Sequence, residues 1–260
     1  MMESPMMFSL QAAPQFFTFH AGRYQVRSPW WALTLVLLMT LLFGSLATWQ
    51  ISRYFERTAL LHAFEERMTL PPIAIQQLDT DWESQLGQPL KQVVAPQRPY
   101  TVLLDNQMYQ GAAGYRVFNA VKIDDHLPWL WVDRGWIPLE NGREQIPMIP
   151  DLPQTVELTG LVDKPMYNRL VSFVTDFEQV RWPLRIQTMD IEWLSNQIGV
   201  PFYPWVLLVD EKSQITFKHT THTPWLTPMR HQVYALQWLS FILLTWGFWG
   251  RFTIRKKESS

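Results

Sequence analysis

The side chains best able to do chemistry in this chain are its histidines, His20, His62, His126, His219, His222 and His231. His219 and His222 form a His-x-x-His pair, a spacing that could share a metal ion on a helix. Thr220 and Thr221 lie between them, Pro224 follows, and no nearby carboxylate completes a ligand set, so the pair reads as solvated loop. His231 stands differently. It opens an uncharged run, with Tyr234, Ala235 and Trp238 at helical offsets of three, four and seven. An ionisable group at a membrane span is a candidate functional site. Neutral imidazole is also the usual axial ligand of haem iron. Ala235 leaves room for a flat macrocycle, and Tyr234 and Trp238 could line it. The same residues equally suit an interfacial histidine with its ring among lipid headgroups.

The chain has no cysteine, which excludes disulfides, thiol redox chemistry, thiolate copper sites and covalent Cys-x-x-Cys-His haem attachment. Neither a Ser-His-Asp arrangement nor a phosphate-binding glycine loop nor a paired-carboxylate motif stands out, so the reading is not an enzyme. Arg134-Gly135-Trp136 sits within a strand pattern, where a glycine signals a bulge or a close backbone approach.

Two long uncharged runs must position His231 and its neighbours. One lies between Arg27 and Arg53, the other between Arg230 and Arg251. About 20 helical residues cross a bilayer core of roughly 30 Å, and both runs are long enough. Tryptophans flank or enter them, among them Trp30, Trp31, Trp49, Trp225, Trp238, Trp246 and Trp249, as expected of interfacial anchors. Ser45-Leu46-Ala47 resembles a cleavage site, but the apolar run exceeds a signal core and 27 residues precede it. The expected fold is an α+β membrane protein with two transmembrane helices flanking a mainly β domain.

The expected segments are a cytoplasmic arm (1–27), a first span (28–52), a periplasmic domain (53–229), a second span (230–250) and a basic cytoplasmic tail (251–260). Arg251, Arg255, Lys256 and Lys257 in the tail set both termini inside by the positive-inside rule. The arm lacks the Arg-rich, Ser-rich character of an organelle presequence, so a bacterial inner membrane fits better than a mitochondrial one. The net charge of -1 gives no sign of a nucleic-acid partner.

Within the domain, Ile51, Tyr54, Phe55, Thr58, Leu61, Phe64 and Met68 recur at helical steps, so the first helix is expected to continue as an amphipathic extension over 53–70, stopped by Pro71-Pro72. Tyr100 to Leu104 reads as a strand ending in an Asp105-Asn106 turn. Tyr115 to Ile123 and Trp129 to Ile137 read as a hairpin through Asp124-Asp125-His126. Thr155 to Val162 is another strand, Met189 to Ile198 a short helix before Gly199, and Tyr203 to Val209 with Gln214 to Lys218 a second hairpin. Six or more short strands with one helix suggest a small barrel or sandwich.

Five blocks in order resemble the Surfeit locus protein 1 family of cytochrome c oxidase assembly factors. They are Trp49-Gln50-x-x-Arg53; Leu104-Asp105-Asn106 with Gly111-x-x-Gly114-Tyr115; Val132-Asp133-Arg134-Gly135-Trp136-Ile137-Pro138; Gly160 with Pro165; and Arg230-His231-x-x-Tyr234-Ala235-Leu236-Gln237-Trp238. The resemblance covers about residues 30 to 250. The chain departs from the family pattern at Arg57 for Lys, Asn119-Ala120 for Thr-Pro, and Asp133 for Asn.

The resemblance implies a non-enzymatic role in maturing subunit I of haem–copper oxidases, with haem a as a transient cofactor and haem a synthase as a further partner beside the lipid bilayer. It implies His231 as the iron ligand. Tyr234, Trp238 and Trp49 are expected beside the ring, and Arg53, with Arg57 or Arg230, at the propionates. The alternative is a cofactor-free scaffold that grips subunit I or the synthase. A ligand-sensing domain is disfavoured, since the tail of ten residues holds no output module.

Overall fold

The computed structural model describes residues 16–21, 24–139, 145–168, 180–218 and 227–256 of the 260. His219, His222, Trp225 and Lys257 lie outside them. The chain divides into two compact units, Met1–Ala59 with Thr227–Ser260, and Leu60–Leu226.

The first unit is built on helices. Strands β1 (Phe16–Ala21) and β2 (Tyr24–Pro29) form an antiparallel hairpin, and β2 leads directly into helix α1 (Trp30–Met68). This hairpin is an addition to the expected plain arm. Thirty-nine residues make α1 about 58 Å long, nearly twice a bilayer core. Among the described residues, α1 is the one helix long and apolar enough to cross a membrane. Its last residues, Leu60 to Met68, belong to the second unit and form the expected extension, which ends before Pro71-Pro72.

Helix α3 (Pro228–Thr253) is 26 residues long and does not meet the measure that α1 meets, so the expected second span is not shown. Strand β9 (Ile254–Lys256) follows and pairs with β2, giving a small sheet of order β1-β2-β9.

The second unit is a closed sheet. Its strands are β3 (Pro89–Tyr109), β4 (Ala112–Lys122), β5 (Trp129–Pro138), β6 (Val156–Asp163), β7 (Leu184–Ile186) and β8 (Phe202–Val209). The order is β4-β5-β8-β6-β3-β7, and β3 also pairs with β4, so β4, β5, β8, β6 and β3 form a ring. Closure is possible because β3 is 21 residues long and bends. Its first part pairs with β6 and its later part with β4. Of the expected barrel or sandwich, the molecule is a barrel.

Alternation along the strands explains the core. Leu130 and Val132 face one apolar cluster with Trp205, Leu207 and Phe64 of α1. Trp131 and Val206 face the opposite cluster, covered by helix α2 (Ile191–Ile198) through Leu194. With both faces buried, the strands read as near-continuous apolar runs. Helix α2 starts on Asp190, whose carboxylate accepts the Trp193 amide, and ends at Gly199 in the left-handed region.

Two turn expectations are corrected. Asp105-Asn106 is not the end of its strand. Asn106 takes φ 59° at a register shift inside β3, and the turn to β4 lies at Gln110 and Gly111, both left-handed. The carboxylate of Asp105 accepts the Asn106 amide, which stabilises the irregularity locally. Gln214 to Lys218 does not form a hairpin with β8. Residues 211–215 form turns, and Lys218 bridges instead to Trp136 of β5. That pairing leaves β8 between β5 and β6.

The bridge explains Gly135. Its φ is 100°, and a Cβ there would lie 2.7 Å from the Lys218 carbonyl oxygen. Both the bulge and the close approach expected of this glycine are present. Gly135→Ala is expected to destabilise the chain by about 2–4 kcal/mol. Gly44→Ala, on a helix with open space around it, should change stability by no more than about 0.5 kcal/mol. Thermal and denaturant unfolding of the two purified variants checks the contrast.

Candidate functional site

The packing of α1 against α3 sets the geometry around His231. Phe43 stacks on Trp238 with ring centroids 5.8 Å apart, and it also meets Phe241 at 5.6 Å. The Trp246 indole donates to Thr40 Oγ1 at 3.0 Å, and the Trp249 indole donates to Ser28 Oγ at 3.1 Å. Partners on α3 advance as those on or before α1 recede, so the helices run antiparallel. At the far end of this ladder, Gln50 Oε1 lies 2.8 Å from His231 Nδ1.

That contact orients the imidazole. With the carboxamide oxygen facing it, the bond is made by the tautomer protonated at Nδ1, in which Nε2 carries the free lone pair. The second nitrogen is thereby set up as a ligand, in the way that outer partners orient metal-binding histidines. Gln50 is buried and His231 half-buried. Ala235, one turn on from His231, is 5% exposed and keeps a small side chain in the helix interface.

The other sequence-derived residues fall around this pair. At roughly 100° per residue, Trp49 and Arg53 share one flank of α1 beside Gln50. On the antiparallel α3, Tyr234 is turned from His231 toward the same side of the helix pair. The cleft farther along confirms this sense, since Leu35 and Met39 of α1 open onto it together with Phe248 and Phe252 of α3. Trp49 and Tyr234 are about half exposed. Trp238 is committed on one face to Phe43. Arg53 is bonded to Glu56 at 2.6 Å, while Arg57 and Arg230 carry no ion pair among the described residues.

Gln50 was legible only as part of a signature block, and its role follows from the bond to His231. Among the described residues no group of three or more His, Asp or Glu side chains could hold a metal ion.

Arg134-Gly135-Trp136 proves structural. Arg134 donates from Nε to the Ile215 carbonyl at 2.9 Å, and from Nη1 to the Pro150 carbonyl at 2.9 Å and Asn119 Oδ1 at 3.2 Å. Its guanidinium lies over Phe217 at 4.5 Å. Burial pushes its pKa down to about 10, with Asp151 pulling the other way. The Trp136 indole donates to the Gln107 carbonyl at 2.9 Å. The motif thus staples three segments onto β5.

Asp133, beside it, holds the Arg116 Nε at 2.5 Å and accepts the Gly135 amide at 2.9 Å, with both charged side chains almost wholly buried. Sequence reading missed Arg116. Its signal was a charge inside the apolar strand Tyr115-Arg116-Val117-Phe118.

An apolar anchor helix continuous with a compact β-barrel domain is the build of a membrane-associated accessory protein. The family model described as the SURF1 family matches residues 37–243, more than half of the chain, and the chain belongs to that family. It is a family of cytochrome oxidase assembly factors. All five blocks quoted above fall within the match. No curated protein matches the chain.

Removing the charge at position 133 tests the buried pair. Asp133→Asn restores the residue commoner in the family, yet should cost about 3 kcal/mol by neutralising the carboxylate that lies 2.5 Å from the buried Arg116 Nε. Arg116→Met in the same chain should recover most of that loss, measured as a double-mutant cycle on denaturant midpoints.

Proposed function

We propose that this chain assists the insertion of haem a into, or its stabilisation in, subunit I of a haem–copper cytochrome c oxidase, with His231 as the iron ligand. The observation that supports the reading is the 2.8 Å contact between His231 Nδ1 and Gln50 Oε1, which in the Nδ1-protonated tautomer leaves Nε2 to serve as a ligand. Haem a would supply an iron for the imidazole, a farnesyl tail suited to lipid and two propionates suited to water.

The chain's own side chains match that chemistry. Tyr234 and Trp49, each about half exposed, would offer aromatic surface beside His231, and Trp238 would back it. Arg57 and Arg230, without an ion pair among the described residues, would take carboxylates, and Arg53 would exchange Glu56 for one. In this reading α3 is the second span, both termini are cytoplasmic and the barrel is periplasmic in a bacterial inner membrane. The barrel would face subunit I or haem a synthase.

A second reading rests on the same contacts. The Gln50–His231 bond and the Phe43–Trp238 stack also serve as clamps between two helices, as a cofactor-free scaffold would need. The two readings separate on pigment. The full chain purified from cells that make haem a should carry haem with a histidine-ligated spectrum. His231→Ala should lose most of it. Gln50→Ala should keep it but release it faster, by on the order of tenfold. Full occupancy with an unchanged ligand-field signature in His231→Ala would falsify the ligand assignment. A colourless wild-type protein that still restores oxidase assembly would favour the scaffold.

A further inference from the structure

The helix pair carries a second feature at the end away from His231. A cleft of about 700 Å³ opens there between the first turns of α1 and the last turns of α3. Its walls are apolar, with Leu35, Val36 and Met39 on one side and Phe248 and Phe252 on the other. Its mouth is cationic, because Arg27 and Arg255 both line it.

The small sheet puts these two arginines together. Arg255 of β9 stands opposite Gln25 of β2, and Arg27 lies two residues further along β2. Side chains alternate between faces with a period of two, so Arg27 and Arg255 emerge on the same face as diagonal neighbours. Arg27 rests over the Phe16 ring at 5.2 Å, which holds its guanidinium at the mouth. The Trp249–Ser28 bond ties the cleft's α3 wall to the end of β2.

Among the described residues, no acid of this unit answers these charges. Glu56 is the only Asp or Glu in residues 16–59 and 227–256, and it is bonded to Arg53. The first amides of α1, next to Pro29 and Trp31 in the lining, add the positive end of a helix dipole. A ligand for this cleft needs long apolar chains for the walls and an anionic head for the mouth. A soluble anion would leave the walls wet, and a zwitterionic head would offset the attraction.

We infer that the cleft is a binding site for one anionic diacyl phospholipid, with its phosphodiester between Arg27 and Arg255 and its acyl chains along Leu35, Val36 and Met39. The occupant comes from the surrounding leaflet, whose anionic lipids already concentrate near basic segments. Trp31, 64% exposed beside the mouth, suits the headgroup depth. The inference is independent of haem, whose proposed ligand lies at the other end of the pair.

The test is a lipid titration of the delipidated full chain in detergent, read by native mass spectrometry. Phosphatidylglycerol and phosphatidylcholine with the same acyl chains are the probes. One phosphatidylglycerol should bind at least tenfold more tightly than phosphatidylcholine. In Arg27→Gln/Arg255→Gln that preference should vanish while phosphatidylcholine binding stays unchanged. Arg251→Gln/Lys256→Gln removes two charges from the same end but from surfaces facing away from the cleft, and should keep the preference.

Equal binding of the two lipids by the wild-type chain, which needs no variant to fold, sinks the inference. So does an equal loss in both double variants, which would mean diffuse charge attraction. A dimer that excludes lipid would assign the cleft to a second copy of the chain and also overturn it.

Discussion

A carboxamide placed between two apolar helices destabilises their contact until it finds a partner. Leaving such a group unmatched costs about 1–3 kcal/mol in a folded protein. Gln50 and His231 answer one another, and few other polar pairs cross this helix interface. Their bond pins one register of α1 against α3, because sliding either helix by a turn would orphan both groups. The aromatic stack of Phe43 on Trp238 and the indole bonds to Thr40 and Ser28 fall in line with that register. The same constraint orients the imidazole ring, so the contact that orders the helix pair also bears on the chemistry His231 can offer.

In the barrel the corresponding constraint is the burial of charge. Arg116, Asp133 and Arg134 are each nearly inaccessible, on neighbouring strands that are otherwise apolar. Arg116 and Asp133 neutralise each other. Arg134 instead spends its donors on backbone carbonyls of two loops and on Asn119, so its charge serves to fix segments that have little regular structure of their own. This is why a motif with the look of a functional site turns out to hold the β5 edge together, and why Gly135 must approach the Lys218 carbonyl so closely.

The parts of this fold legible in the sequence were those carried by periodicity. The apolar run of α1, its amphipathic continuation through Phe64, the β4–β5 hairpin and the capped helix before Gly199 all follow from spacing and end signals. Closure of the sheet was not legible, because it depends on one strand serving two neighbours. The pattern of β3 breaks at Asp105-Asn106, and a turn pair that sits on a bulge looks the same in sequence as one that ends a strand. Lys218 paired with β5 rather than β8 through backbone contacts that no side-chain pattern encodes. At the candidate site, the alignment of His231, Tyr234 and Trp238 was readable from helical offsets. The choice of Gln50 as the partner needed the antiparallel packing itself.

Two of the departures from the family pattern, at Asn119-Ala120 and at Asp133, meet in one place on β4 and β5, and that has a physical reason, whereas the third, Arg57, lies on α1. A neutral residue at position 133 would need only hydrogen bonds, whereas Asp133 brings a charge into a site with almost no solvent. Arg116 lies across the β4–β5 ladder at the distance of a direct ion pair and supplies the compensation. Asn119, in the stretch where Thr-Pro is typical, accepts from Arg134 and donates to Thr101 Oγ1 at 2.7 Å. A proline at position 120 would bring no amide hydrogen to the ladder, while Ala120 keeps one for its pairing with Trp131. The substitutions at 119–120 and 133 therefore sit inside one polar network of the barrel and leave the Gln50–His231 contact untouched. Change in the barrel is compatible with that contact because the two sets of side chains satisfy their polar groups separately.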